Sequence, residues 1–189
     1  MARRPGVAVR RRISARPDAA VTVLLGALAL LPMLWTARGR VSADTKTYLT
    51  LDPGDLLSSA SSMWDPSVGA GTVPHQNIGY LVPLGPYYWV LDALGAPDWL
   101  AQRLLWGLLV FAASYGTYRL LRWLDWDVAP ALISAVAYGF SPYLLSYLAR
   151  WSVILGPWAA LPWMVLLVSK AARTRSLKPA AQFAVIVAL

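Results

Sequence analysis

Seventeen consecutive residues, Ala19 to Trp35, carry no charged side chain, and six arginines (Arg3, Arg4, Arg10, Arg11, Arg12 and Arg16) stand just before them. An apolar run of that length suits one crossing of a hydrocarbon core about 30 Å thick, and a basic flank holds the start of such a run on the cytoplasmic side. Three more apolar segments follow, Trp99 to Leu121, Val128 to Leu148 and Trp151 to Val168. The chain is 58% hydrophobic and only 14% charged, against about 25% charged in a soluble domain, so it cannot cover itself with a water-facing surface. The expected fold class is therefore an all-α polytopic membrane protein.

The rival for the first run is a cleavable signal peptide, since Val41-Ser42-Ala43 resembles a small-residue cleavage site. The run is long for that purpose and further spans follow, which favours a retained helix. The net charge of +8 does not point to nucleic acid, because Arg and Lys gather at the ends of apolar runs and not along one polar face. With no cysteine, disulfide frameworks, thiol nucleophiles and Cys-type zinc sites are excluded.

Topology follows from where the cations fall. Ile78 to Leu94 is apolar and aromatic but is broken by Pro83, Gly85 and Pro86, so it reads as an interfacial or re-entrant piece that does not span. Twelve Lys and Arg then lie inside and five outside. A crossing there would carry six basic residues, Arg119, Arg122, Lys170, Arg173, Arg175 and Lys178, outside, against the positive-inside rule. Residues 1–18 thus form a basic cytoplasmic segment. Residues 19–189 form the amino-terminal part of a transmembrane domain, with a first outer loop at about 36–98. The last apolar run, Pro179 to Leu189, has 11 residues, well short of the roughly 20 a span needs. The expectation is four complete spans, a fifth begun, and a longer parent protein.

The outer loop is far longer than a helix connection requires, and long loops carry function. Asp52-Pro53-Gly54-Asp55 reads as a helix start, with Asp52 as N-cap and Pro53 in the first turn. Leu56, Leu57, Ala60, Met63 and Trp64 then share one face of a short amphipathic helix suited to the membrane interface.

The candidate chemistry lies in this loop. Asp44, about eight residues past the first span, is placed to take a proton from a hydroxyl or to hold a divalent cation; the bland reading is a turn residue paired with Lys46. Asp65, His75, Gln76 and Asn77 bring a carboxylate, the one histidine and two amides into the same loop. That set is enough for a sugar pocket, whereas an Asx turn before Pro66 accounts for Asp65 equally well. A lone His is a poor metal site, and no metal ligand is assigned. Asp125-Trp126-Asp127 is an acid-x-acid pattern, but it falls in a short cytoplasmic turn, where turn formation and capping of the next helix explain both acids. Arg150 ends the third span just after Ser141-Pro142. Pairing with a lipid phosphate and snorkelling to the interface both account for it.

The order of features, a first span, an outer loop opening with an acid, an interfacial helix, a second interfacial piece and further spans, resembles the GT-C class of membrane glycosyltransferases. Two stretches carry a closer likeness. Ala43-Asp44-Thr45-Lys46-Thr47-Tyr48-Leu49-Thr50-Leu51-Asp52-Pro53-Gly54 is one, and Met63-Trp64-Asp65-Pro66-Ser67-Val68-Gly69-Ala70-Gly71-Thr72-Val73-Pro74-His75-Gln76-Asn77-Ile78-Gly79-Tyr80 is the other. Both are similar to the amino-terminal region of the mycobacterial arabinofuranosyltransferase D family. The resemblance implies transfer of arabinofuranose from decaprenylphosphoryl arabinose, a polyprenyl-phosphate sugar donor, to the arabinan acceptor of arabinogalactan or lipoarabinomannan at the outer face of the plasma membrane. It also implies Asp44 as the catalytic acid residue of the first loop. Asp44 is followed by Thr45-Lys46, so no acid-x-acid pair stands at the loop entrance. The lipid bilayer is the other expected partner, and no protein partner on the cytoplasmic face is assigned. In this reading Lys46 or Arg150 meets the phosphate charge.

A transporter or flippase segment and a non-catalytic scaffold for wall assembly are the alternatives. Ion-coupled transporters carry ionisable residues at mid-membrane, and Ala19 to Trp35, Trp106 to Tyr118 and Val128 to Ala149 contain none.

Overall fold

The computed structural model describes residues 15–44, 47–62, 64, 66, 69–73 and 81–188, the side chains of 15–17, 47 and 48 excepted. Nine α-helices run in order through the described residues. They are α1 (Ala15–Trp35), α2 (Thr47–Leu51), α3 (Pro53–Ser59), α4 (Leu84–Ala93), α5 (Asp98–Trp123), α6 (Val128–Gly139), α7 (Pro142–Tyr147), α8 (Leu155–Thr174) and α9 (Leu177–Ala188). Among the described residues four stretches are long and apolar enough to cross a membrane: Asp18–Trp35, Asp98–Trp123, Val128–Tyr147 and Ser152–Thr174. Their outward faces are largely apolar, with Val23, Leu31, Ile133 and Val168 more than half exposed, as lipid-facing surface is.

Helix α5 is the centre, packed on α1, α6 and α8. Ala29, Trp106, Val110, Ala113, Leu144, Leu148, Leu155 and Ala159 join α1, α5, α7 and α8 in one buried cluster. Val21, Leu25, Tyr118, Ala131 and Ala135 join α1, α5 and α6 in another. Small residues set the helix spacing. A Cβ on Gly116 would come within 2.6 Å of the Trp163 indole nitrogen on α8, and one on Gly139 would overlap Ser114 on α5. In lipid, where apolar burial between helices gains little, such close backbone approach is what holds spans together.

α1 and α5 are antiparallel. Asp18 meets Tyr118 at one end, Leu30 lies against Gly107 midway, and Ser42 meets Gln102 at the other end. Residues 36–97 therefore leave and return at the same end, as expected from the breaks in Ile78 to Leu94. The apolar helix in that stretch, α4, has 10 residues, and with α2 and α3 it buries Leu49, Leu56 and Tyr88 on Ala101 and Leu105 at the start of α5.

One expectation needs correction. The helix opened by Asp52 is capped as read, with Asp55 N–H donating to Asp52 Oδ1 at 3.1 Å, but it stops at Ser59 and does not run to Trp64. Ser58 and Ser59 turn their hydroxyls back onto the carbonyls of Asp55 and Leu56, a competition that weakens serine runs as helix formers. The third span, Val128–Tyr147, is interrupted at Ser141-Pro142: α6 ends at Gly139, and Ser141 caps α7 through Leu144 N–H at 3.4 Å, with Pro142 at its first position.

The two ends of the bundle differ in charge. Arg119, Arg122, Lys170, Arg173, Arg175 and Lys178 lie at or beyond the Asp18 end, and Arg38, Arg40, Arg103 and Arg150 at the Asp44 end. At the Asp18 end Tyr118 donates to the Asp18 carboxylate, Arg122 lies 3.4 Å from it, and Lys170 and Arg173 sit over the Trp123 ring.

Candidate functional site

Five chain segments meet around Asp44: the stretch leaving α1, helices α4 and α5, the end of α7, and the short 3₁₀ turn Ser152–Ile154 that leads into α8. An isolated carboxylate at the head of a loop would be solvated, yet Asp44 is buried, 7% exposed. Its charge is met by Ser152, whose N–H lies 3.3 Å from both carboxylate oxygens and whose hydroxyl donates to Oδ2. A buried carboxylate is tolerable only with such charge-assisted bonds.

The stretch before Asp44 is pinned in three places. Gln102, buried on α5, accepts from Ser42 N–H at 2.8 Å and donates to Ser42 C=O at 3.1 Å. The Ser42 hydroxyl donates to Ala149 C=O at 3.0 Å. Arg103 donates to Arg40 C=O at 3.3 Å while its guanidinium lies 4.2 Å from the centre of the Trp106 ring. This cation–π contact makes burial of the Arg103 charge bearable; its Nε has no partner among the described residues.

Helix α4 closes one side. Tyr87 donates to Ala101 C=O at 2.9 Å, and burial pushes its phenol up to about 12. Burial raises the neighbouring Tyr88 phenol further; a hydrogen bond with Thr50 opposes the rise, and Tyr87 and the Asp44 charge add to it. Both phenols therefore stay neutral at any physiological pH.

Of the residues expected from sequence, Asp44 stands at this meeting point, and Arg150 lies beside it in the chain between Ala149 and Ser152, exposed, with its N–H donated to Tyr147 C=O at 3.1 Å. Lys46, Asp65, His75, Gln76 and Asn77 lie outside the described residues. Asp125 and Asp127 sit at the opposite end. Asp125 forms the turn with φ +64°, and Asp127 holds the N-cap position of α6 without a capping hydrogen bond, so only the turn half of the expected explanation applies. Among the described residues no three His, Asp or Glu side chains gather into a metal-sized group.

Sequence reasoning passed over Ser42, Gln102, Arg103 and Ser152. Gln102-Arg103 carried a usable signal: a polar pair one turn inside an apolar span is costly unless something meets it.

Comparison with known proteins is consistent in sequence and structure. Residues 28–189 match the family model described as Alpha-(1->3)-arabinofuranosyltransferase, N-terminal GT-C domain. The chain is 36% identical over 130 residues to an Alpha-(1->3)-arabinofuranosyltransferase of Mycolicibacterium smegmatis, covering 66% of this chain and 9% of that protein. It is 34% identical over 173 residues to the protein of that name from Mycobacterium tuberculosis, covering 88% and 12%. A cryo-EM structure of a mutant arabinofuranosyltransferase AftD from Mycobacteria superposes with a TM-score of 0.84 at 32% identity, covering 94% of this chain and 14% of that one. A second AftD structure gives 0.76 at 31%, covering 84% and 12%. The chain thus spans about a tenth of the length of these relatives.

Proposed function

Because this chain belongs to the family of the Alpha-(1->3)-arabinofuranosyltransferase N-terminal GT-C domain, we propose that its Asp44 end forms part of the active site of a membrane arabinofuranosyltransferase. The site faces the extracytoplasmic side and takes arabinofuranose from decaprenylphosphoryl arabinose to cell-wall arabinan. The observation that carries the reading is the buried Asp44 carboxylate, held by Ser152 at the end of the bundle where residues 36–97 leave and return.

The reaction is a one-step inverting displacement. An acceptor hydroxyl oxygen bonds to the anomeric carbon as the bond from that carbon to the phosphate oxygen breaks. The hydroxyl proton passes to Asp44, and the polyprenyl phosphate leaves with the bonding electron pair. Arg150 and Lys46 meet the negative charge of the leaving phosphate, a role suited to guanidinium and ammonium groups. Asp65, His75, Gln76 and Asn77 of the same loop contact the sugars. No step is routed through a divalent cation. Lipid-linked donors travel in the leaflet, which explains why the site sits at the end of a bundle and not at its middle.

The test is Asp44→Asn in the full-length protein, assayed for transfer from decaprenylphosphoryl arabinose to a short arabinan acceptor in nanodiscs. A general base contributes about 10²–10⁴-fold, so the variant loses at least a hundredfold in kcat while inserting normally. Asp125→Asn is the control: asparagine is at home at φ +64°, so it transfers at the wild-type rate. Wild-type turnover by Asp44→Asn removes Asp44 from the chemistry, and loss in Asp125→Asn alone moves the site to the opposite end.

A further inference from the structure

Between α8, α9 and Arg119 of α5 lies a cavity of about 590 Å³. Its chemistry changes along its length. Lys170, Lys178 and Arg119 stand around the end nearest the turn from α8 to α9, and beyond them the walls are apolar, with Trp163 and Leu166 on α8 and Val185 and Ile186 on α9. Trp163 to Lys170 covers about 10 Å of helix, so the cavity is charged at its mouth and greasy in its depth.

The cations at the mouth lack an answering charge. No described carboxylate lines the cavity, and Asp18, the acid of α1 at this end of the bundle, is taken by Tyr118 and Arg122. Arg119 donates to the Tyr115 hydroxyl at 2.9 Å, and Lys170 lies 5.4 Å from the centre of the Trp123 ring; these contacts orient the two side chains without neutralising them. Lys178 stands in the first turn of α9, which holds no acid, and the positive end of a helix dipole disfavours a cation unless an anion joins it.

We infer that this cavity binds one anionic phospholipid of the leaflet at the Asp18 end, which is the cytoplasmic leaflet in the orientation expected from sequence. Lys170, Lys178 and Arg119 hold its phosphate, a group that both ammonium and guanidinium donors meet well, and an acyl chain lies along Trp163, Leu166, Val185 and Ile186. A free anion would satisfy the mouth and leave the apolar depth unfilled, whereas basic pockets between spans suit lipid head groups. Lys170 lies about 22 Å along α8 from Leu155, far from the Asp44 end, so the inference stands apart from the reading of Asp44.

The experiment uses full-length protein in phosphatidylcholine nanodiscs doped with phosphatidylglycerol that carries a photoreactive diazirine on one acyl chain, with adducts located by peptide mass spectrometry. Adducts are expected within residues 163–186 and are displaced by unlabelled phosphatidylglycerol; a phosphatidylcholine probe with the same chain leaves that stretch at background. Lys170→Gln combined with Lys178→Gln lowers the labelling about 25-fold, about fivefold for each charge lost beside an anionic head group, and Lys170→Arg combined with Lys178→Arg keeps it. Ala181→Trp, which fills the cavity and leaves all three cations, abolishes it. Equal labelling by the phosphatidylcholine probe makes the cavity an unselective acyl groove, undiminished labelling in Ala181→Trp places the lipid outside it, and displacement by inorganic phosphate makes it a site for a free anion; each overturns the inference. A lack of adducts within 163–186 means that another part of the full-length chain is seated there, and overturns it as well. If the double glutamine variant melts early, the contrast between the two lipid probes decides.

Discussion

Gln102 answers both backbone groups of Ser42, accepting from its N–H at 2.8 Å and donating to its C=O at 3.1 Å, across 60 residues of chain. A side-chain amide paired with one residue's amide in this way reproduces two rungs of a sheet ladder, and it fixes the approach of residues 40–44 to α5. Gln102→Leu leaves the Ser42 N–H without that partner, while the C=O keeps the Asp44 N–H at 2.8 Å; a lost partner costs about 1–3 kcal/mol where burial is complete, and Ser42 is half-buried, so about 1 kcal/mol is expected. Melting of the purified variant checks this, and a wild-type melt shows the pairing to be dispensable.

Gly139 ends α6 with no room for a side chain, since an added Cβ overlaps Ser114 of α5. Gly139→Ala is expected to destabilise by about 1–3 kcal/mol, the usual effect of overpacking. Because the nearest atom is the Ser114 hydroxyl oxygen, Gly139→Ala combined with Ser114→Ala recovers part of the loss. A double variant no better than Gly139→Ala alone places the strain elsewhere.

Alkaline stability reports on Tyr87. Its phenol titrates near 10.0 when exposed and near 12 in the fold, so the folded state holds the proton more tightly. The sign follows: this stabilisation is complete below pH 10 and disappears as pH climbs towards about 12. Tyr87→Phe, which cannot ionise, should show a shallower loss of stability between pH 10 and 12 than wild type, and identical slopes exclude Tyr87 as the titrating group.

Orientation has a direct test, because this chain has no cysteine. With any cysteines elsewhere in the full-length protein replaced, a cysteine at Ala43 reacts in intact cells with a membrane-impermeant thiol reagent. Cysteines at Asp125 and Thr174 are protected. All three positions are exposed, so failure to react reflects sidedness and not burial; labelling at Asp125 inverts the topology and the donor-side argument with it.

The spans were legible in the sequence because lipid imposes a length and an apolar surface on each one separately, which leaves a local signature. The return of residues 36–97 to the same end was legible from Pro83, Gly85 and Pro86 together with the placement of arginines. The helix start at Asp52 was legible too, since a cap is written in consecutive residues. What the sequence hid was pairing at a distance. Nothing local marks Ser152 as the partner of Asp44, and a serine at the head of a span looks like any interfacial serine. Gln102 was hidden differently, in an apolar stretch whose average hydropathy conceals one polar face. The early end of α3 at Ser59 was missed because the apolar spacing continued past the point where serine hydroxyls competed for the backbone.

The span of chain between Asp44 and its partner has a temporal side. During synthesis at about 5–20 residues per second, Ser152 is added roughly 5–20 seconds after Asp44, since 108 residues separate them. By then the first three spans have been synthesised, the third still close behind the growing end. The carboxylate therefore begins life in an unfinished setting, and its pairing with Ser152 is among the last things biogenesis completes: a nascent chain arrested before its fourth span is long enough to insert but has no assembled centre.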